Sequence, residues 1–284
     1  MAGTNTYSAS LLTDILEQEA ITILSDVLAP LSAFARQFST DTYKPKSTAQ
    51  AKFVTSGATT QKNASDFEQG DSTVANVAIA PDQYSQSFQV SNADLNSGLR
   101  LADLAEKNCR VFGETLMDAI LVPLTIVNFP TPIVRAAAAF GPADMAECWG
   151  RVKKSPIKSA ILDGEWMARI LNSPVFLQEV KPGSAGWRIF GWDGVYTNTR
   201  WTGAGANVHG FFCGASALGV LAGLPIQGEN RTLQSKVVTL EGLDLSVMLN
   251  SWFSLKTRSM WCSYDLVMGS ALLDATCGVL LTSE

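Results

Sequence analysis

The chain has 284 residues, 46% of them hydrophobic, with a formal net charge of -5 and a pI near 5.0. That length can bury a sizeable core in one large domain or two, and the apolar fraction excludes a disordered protein. The acidic balance argues against tight nucleic-acid binding, which needs clustered Lys and Arg to release counterions from phosphate.

Leu11–Ala29 reads as a helix. Leu12, Leu16, Ala20, Ile23 and Val27 form its stripe and Pro30 ends it, with Asp14, Glu17 and Glu19 in the early turns where the helix dipole favours negative charge. It is either an arm that packs on another part of an assembly or a helix docked on its own core. The opening MAGTNTYSAS lacks the basic region and apolar core of a signal peptide.

From Thr40 to Val90 the chain turns polar and poor in leucine. Tyr84, Gln86, Phe88 and Val90 alternate with serines and Gln89, as in a half-exposed strand. Val74–Ala80, stopped by Pro81, and Ala51–Thr55 are two further strands. Between them runs a polar tip, Gly57 to Ser72, too long for an ordinary loop. The whole predicts an extended β-arm, marginal by itself and lying against a neighbouring copy.

Ser97–Leu121 is the clearest long helix. Leu101, Leu104, Ala105, Phe112, Leu116 and Ala119 share one face, and Arg100, Asp103, Lys107, Arg110 and Glu114 another. Asp103–Lys107 and Glu106–Arg110 place acid four residues ahead of base, and Pro123 marks the end. Phe129–Pro142, with Pro130, Pro132 and Pro142, reads as a crossover between lobes. Ala160–Leu162 predicts a strand, with Asp163 as N-cap of a helix through Trp166 to Leu171. Trp187–Trp201 has the composition of an irregular β-hairpin. Val208–Cys213 predicts a strand followed by a helix from Ala215 to Ala222, closed by Gly223. The uncharged run from Arg200 to Glu229 is too rich in glycine and turns for a membrane span. Lys236–Leu240 and Leu245–Met260 predict strands paired through Gly242, with short pieces at Leu266–Gly269 and Val279–Leu281.

Chemistry-bearing patterns are sparse. The five cysteines, Cys109, Cys148, Cys213, Cys262 and Cys277, are scattered, odd in number and without a C-x-x-C pair, as buried thiols in a reducing compartment would be. His209 is the single histidine, expected in a loop or core. Gly214-Ala-Ser-Ala-Leu218 lacks the final glycine of a nucleophile elbow, which leaves Ser216 without that support. Gly203-Ala-Gly-Ala-Asn207 lacks the third glycine of a dinucleotide fingerprint, and no phosphate-cradling motif occurs. Trp187, Trp192 and Trp201 suit a core or a subunit contact better than a base-stacking platform, because no basic stripe accompanies them. No catalytic, cofactor or metal residue is assigned.

In order and motif the chain resembles the major capsid (coat) proteins of tailed double-stranded DNA bacteriophages. Lys158-Ser-Ala-Ile-Leu-Asp-Gly-Glu-Trp-Met-Ala-Arg-Ile-Leu171 is similar to that family's axial-domain strand–cap–helix segment. Gly191-Trp-Asp-Gly-Val-Tyr-Thr-Asn198 looks like its G-x-x-V-Y hairpin, and Phe211-Phe-Cys-Gly-Ala-Ser-Ala-Leu218 like the next strand–helix step. Tyr264-Asp-Leu-Val-Met-Gly269 with Val279-Leu-Leu281 resembles its closing turn and final strand. The resemblance implies an α+β capsid fold: an N-terminal arm (1–42), an extended hairpin or E-loop (43–92), a peripheral P-domain with a spine helix (93–132 and 231–284), and an axial A-domain (133–230).

The resemblance also implies a non-enzymatic subunit that self-assembles through pentamers and hexamers into an icosahedral head around double-stranded DNA. That DNA would be contacted weakly and without sequence preference. Implied partners are a portal protein, a separate scaffolding protein (little chain precedes Leu11) and a decoration protein. The place of action is the virion, assembled in the bacterial cytoplasm. The expected intersubunit contacts are Tyr43, Phe53, Lys62, Phe67, Tyr84, Trp192 and Trp201. Some family members cross-link an E-loop lysine; Lys62 sits in the matching loop but is expected to be a solvated lysine. The alternatives are an encapsulin-type nanocompartment shell, a soluble enzyme, and a fibre or baseplate component.

Overall fold

The computed structural model describes residues 9–42, 48–57, 72–91, 101–152, 155, 157–173, 181–182, 187–189, 191–198, 200–226, 234–240, 242–257 and 259–283. In chain order the elements are helix α1 (Ala9–Val27), a short helix α2 (Leu31–Phe34), β1 (Ala35–Thr42), β2 (Ala49–Ser56), β3 (Thr73–Ile79), β4 (Asp82–Val90) and the long helix α3 (Leu101–Leu121). Then come β5 (Ile133–Val134), α4 (Pro142–Arg151), β6 (Lys158–Leu162), α5 (Gly164–Leu171), β7 (Lys181–Pro182), β8 (Trp187–Ile189), β9 (Trp192–Thr197) and β10 (Val208–Gly214). The chain closes with β11 (Leu218–Leu224), β12 (Gln234–Leu240), β13 (Leu245–Ser254), β14 (Ser259–Leu272) and β15 (Gly278–Thr282).

Three sheets organise these strands. A six-stranded sheet runs β1-β11-β14-β13-β12, with β4 also on β14. A seven-stranded sheet runs β5-β15-β10-β6-β9-β8-β7, and β2 with β3 forms a separate two-stranded ribbon. The two large sheets interleave along the chain: β10 belongs to the second, β11 to β14 belong to the first, and the final strand β15 returns to the second.

Helices α1 and α3 pack on one face of the six-stranded sheet. Leu16, Ala20 and Leu24 of α1, with Leu28 just after it, join Ala105, Cys109, Phe112 and Leu116 of α3 and Cys262, Tyr264 and Leu266 of β14 in one core. Tyr264 anchors this layer. Its ring lies 6.1 Å from both Phe88 and Phe112, and its hydroxyl donates to the Ala105 carbonyl at 3.4 Å. Gly113 lets the helices close, since a Cβ there would stand 3.1 Å from Leu24 and Val27. The first helix is therefore docked on its own core, and Lys236 of β12 ties it down by hydrogen-bonding Glu17 and pairing with Asp14 at 3.7 Å.

The seven-stranded sheet is apolar on both faces. Ile161, Phe211, Cys213 and Leu280 join the main core, while Ala160, Leu162, Phe212, Val279 and Leu281 face Met145 and Cys148 of α4 and Trp166, Met167 and Ile170 of α5. Burial on two sides also explains the main correction to the expected elements. The expected helix from Ala215 to Ala222 is strand β11, paired with β1 and β14. Leu218, Val220 and Ala222 face the main core, and Leu221 faces the ribbon. A strand buried on both sides shows no alternation, so its period cannot be read.

Three smaller differences have equally local causes. The expected strand Leu245–Met260 is broken by a turn between β13 and β14, and the piece at Leu266–Gly269 is the middle of the 14-residue β14. Helix α4, not among the expected elements, starts where the expected crossover ends. Pro142 opens it, and the Asp144 carboxylate accepts from the Gly141 amide at 3.0 Å. Strand β4, expected in the arm, is instead a member of the six-stranded sheet, where its inward Phe88 and Val90 are buried and its serines exposed. Helix α3 spans the expected spine from Leu101; positions 97–100 lie outside the described residues.

Candidate functional site

The ribbon β2–β3 forms a sheet of its own, apart from the two larger ones. At its base Ala51 and Ile79 pack on Leu221 and Val267 of the six-stranded sheet. Further out, Val54 and Val74 stand directly opposite one another, 56% and 55% exposed. Cross-strand β-branched pairs stabilise a ribbon, but two strands alone are marginal in water. The pair is the ribbon's open apolar spot.

A second projection is the β13–β14 hairpin. Trp252 and Trp261 are register partners with rings stacked 6.3 Å apart, and Trp261 Nε1 donates to Thr257 Oγ1 at 3.1 Å. Beyond them Phe253 is exposed, and Leu255 at the turn is 85% exposed. A third apolar area comes just after the spine helix, where Val122, Ile126 and Val127 lie open to solvent. At the outer end of the seven-stranded sheet, Trp149 is exposed with the Lys158 ammonium 3.7 Å from its ring centre.

Of the residues expected at subunit contacts, Tyr43, Lys62 and Phe67 lie outside the described residues. Phe53 and Trp192 are enclosed by their own chain, at 6% and 2% exposure, and Trp192 packs on Phe212 at 5.2 Å. Tyr84 and Trp201 are half-buried against the main core, Trp201 donating to the Asn198 carbonyl at 2.9 Å. Burial raises the pKa of the Tyr84 phenol, and Asp82 adds to that. Open aromatic and aliphatic side chains lie elsewhere, among them Val54, Val74, Phe253, Leu255 and Val127. A signal for one of them was present, since Trp252 and Trp261 flank the polar run Ser254-Leu-Lys-Thr-Arg-Ser259 as a hairpin would require.

His209 lies on β10 at a junction of three segments. Its Nδ1 is 3.2 Å from Asp163 Oδ2, its Nε2 is 3.0 Å from Ser283 Oγ, and its ring stacks on Trp166 at 4.2 Å. Asp163 holds the N-cap position of α5 as expected, yet its carboxylate makes no cap bond and turns to the imidazole instead. The cluster ties α5, β10 and the tail of β15 together. Ser216 sits apart in the β10–β11 turn. Among the described residues no group of three or more His, Cys, Asp or Glu could hold a metal, and no helix is long and apolar enough to cross a membrane. The five thiols are all buried; burial pushes Cys109 and Cys262 up to about 12 and raises Cys148 and Cys213 as well.

The described chain thus combines a long helix, a two-stranded ribbon and several open apolar side chains. No family model matches the sequence, and no curated protein matches it. Solved structures do. A capsid chain of the cyanophage P-SCSP1u is 11% identical, with 88% of this chain and 86% of that chain covered and a TM-score of 0.54. A chain of the Microbacterium phage Oxtober96 is 15% identical over 90% of this chain and 91% of that one, at 0.53. A virus-like particle from Pyrococcus furiosus is 11% identical, covering 97% of this chain and 100% of that one, at 0.55. The chain has the capsid fold of the tailed-phage major capsid proteins.

Proposed function

We propose that this chain is a major capsid protein that assembles through pentamers and hexamers into a closed icosahedral shell around double-stranded DNA. The observation that carries the reading is the β2–β3 ribbon, whose Val54–Val74 pair its own subunit leaves open on a fold matched over nearly its whole length by capsid chains. Laid across a neighbour, the ribbon makes a heterologous contact, the kind that closes into rings when the rotation permits. In this reading residues 1–42 are the N-terminal arm, 43–92 the E-loop, 93–132 with 231–284 the peripheral domain, and 133–230 the axial domain. The hairpin tip at Leu255 meets copies around local three-fold axes and the Trp149 end meets them around five-fold and quasi-six-fold axes.

A scaffolding protein, a portal and a decoration protein are the partners of such a subunit, and the virion, built in the host cytoplasm, is its location. The acidic balance suits weak, sequence-independent contact with DNA. Negative-stain microscopy and sedimentation of the expressed chain, with and without its genomic neighbours, test the proposal. Closed particles are expected, and a compact monomer under all conditions overturns it. A second reading, an encapsulin-type compartment, is supported by the full-length match to the Pyrococcus particle chain. A small shell holding a protein cargo and no genome decides in its favour.

A further inference from the structure

The loop between β9 and β10 leaves its own sheet and closes on the C-terminal half of the spine helix. Arg200 Nε lies 3.1 Å from Asp118 Oδ2 and its Nη1 3.4 Å from Glu114 Oε2, so one guanidinium spans two successive turns of α3. Thr202 Oγ1 donates to the same Asp118 oxygen at 2.6 Å. The Gly205 amide donates to the Leu124 carbonyl at 2.8 Å, just past the helix end. Gly203 passes so close that a Cβ on it would stand 1.7 Å from the Asp118 carbonyl oxygen. Inside the loop, Asn198 Nδ2 donates to the Arg200 carbonyl at 2.6 Å, which holds the strand end in place for the guanidinium.

This contact differs in kind from the apolar core beneath it. The inner face of the seven-stranded sheet and α3 share one apolar core, but hydrophobic packing is non-directional and tolerates small rotations. Charge-assisted hydrogen bonds from a planar guanidinium fix an angle as well as a distance. The Gly203 approach permits one separation only, because backbone meets backbone.

We propose that the 198–205 loop, through Arg200, Thr202 and Gly203, sets the angle at which the seven-stranded sheet leaves the spine helix, and so determines the diameter of the assembled particle. The inference rests on the shell reading above. In a ring of repeated heterologous contacts the subunit's internal angle is part of the rotation from copy to copy, so a small change alters which closure is reached.

The test compares wild type with Arg200→Gln and Thr202→Val, both of which loosen the loop without touching the core, and with Arg200→Lys, which keeps the charge but loses the fork. Three readouts are taken: thermal unfolding of the isolated subunit, hydrogen exchange at the Gly205 amide, and the particle diameter distribution by cryo-electron microscopy. The expected result is a modest drop in unfolding temperature, faster Gly205 exchange, and loss of the single-diameter population, with partial recovery in Arg200→Lys. Particles of wild-type diameter despite faster Gly205 exchange overturn the proposal, as does unchanged exchange in both loosened variants. If the wild-type chain forms no closed particle, the shell reading itself fails, and the size assignment falls with it.

Discussion

Replacing Val54 and Val74 together by threonine separates the stability of the subunit from the stability of the assembly. The two side chains face each other across β2 and β3 at 56% and 55% exposure, so their own chain covers less than half of each. Full burial of an aliphatic side chain is worth ~1.5 kcal/mol at the lower end of the usual range. The share left for a neighbour to cover is then ~0.8 kcal/mol per valine and ~1.7 kcal/mol for the pair. That corresponds to a contact weakened about fifteen-fold. Threonine keeps the β-branched shape and the strand preference, so the isolated subunit should change by no more than about 0.5 kcal/mol. Light scattering against subunit concentration measures the assembly threshold, and urea unfolding of the unassembled subunit measures the fold. A rise in the threshold with an unchanged urea midpoint is the expected pair of results. An unmoved threshold refutes the reasoning, because the ribbon's open face would then have no partner.

Tyr264→Ala should cost about 3–5 kcal/mol in urea unfolding by opening a cavity between Phe88 and Phe112, whereas Tyr264→Phe should cost less than about 1 kcal/mol, the hydroxyl bond being long. A loss for Tyr264→Ala no larger than that for Tyr264→Phe would mean that the ring does not hold the sheet to the spine. Stability should also fall in alkali. Burial raises the Cys109 and Cys262 thiols from 9.0 to about 12 in the folded chain, so their contribution is intact below about pH 9 and is lost as pH climbs toward 12 and only the unfolded thiols ionise. Each thiol adds a slope of about 1.4 kcal/mol per pH unit in that window, and a flat urea midpoint from about pH 9 to 11 would contradict it. Excising Gly57–Ser72 should leave the subunit foldable and impair shell formation; normal particles from the deletion, seen by microscopy, would remove the arm from the assembly mechanism.

Elements whose two faces differ in polarity were legible from residue order. Helix α3 shows a stripe from Leu101 to Leu116 opposite a charged face because one side meets the sheet and the other meets water. Strand β4 alternates for the same reason. Asp163 could be placed at the start of α5 from its position before Gly164-Glu-Trp, but its use could not, since the imidazole it bonds arrives from a segment 46 residues away. The polar, leucine-poor stretch was visible as one that could not stand alone, while Trp192, read as a core or subunit-contact residue, is a core one because Phe212 packs against it.

Residue order alone was enough for the succession of arm, strut and strand-rich tail, the burial of the thiols and the lack of a strong charge field, because these depend on composition and on one-sided periodicity. Three-dimensional packing decided what had no local signature. Strand β11 is a strand because β1 and β14 bond it on both edges while cores cover both faces, which erases the alternation that would have announced it. Helix α1 is docked because Gly113, far along the chain, gives it room. The loop at Arg200 matters because folding carries it to Asp118 and Glu114, groups more than 80 residues away that no spacing in the sequence connects.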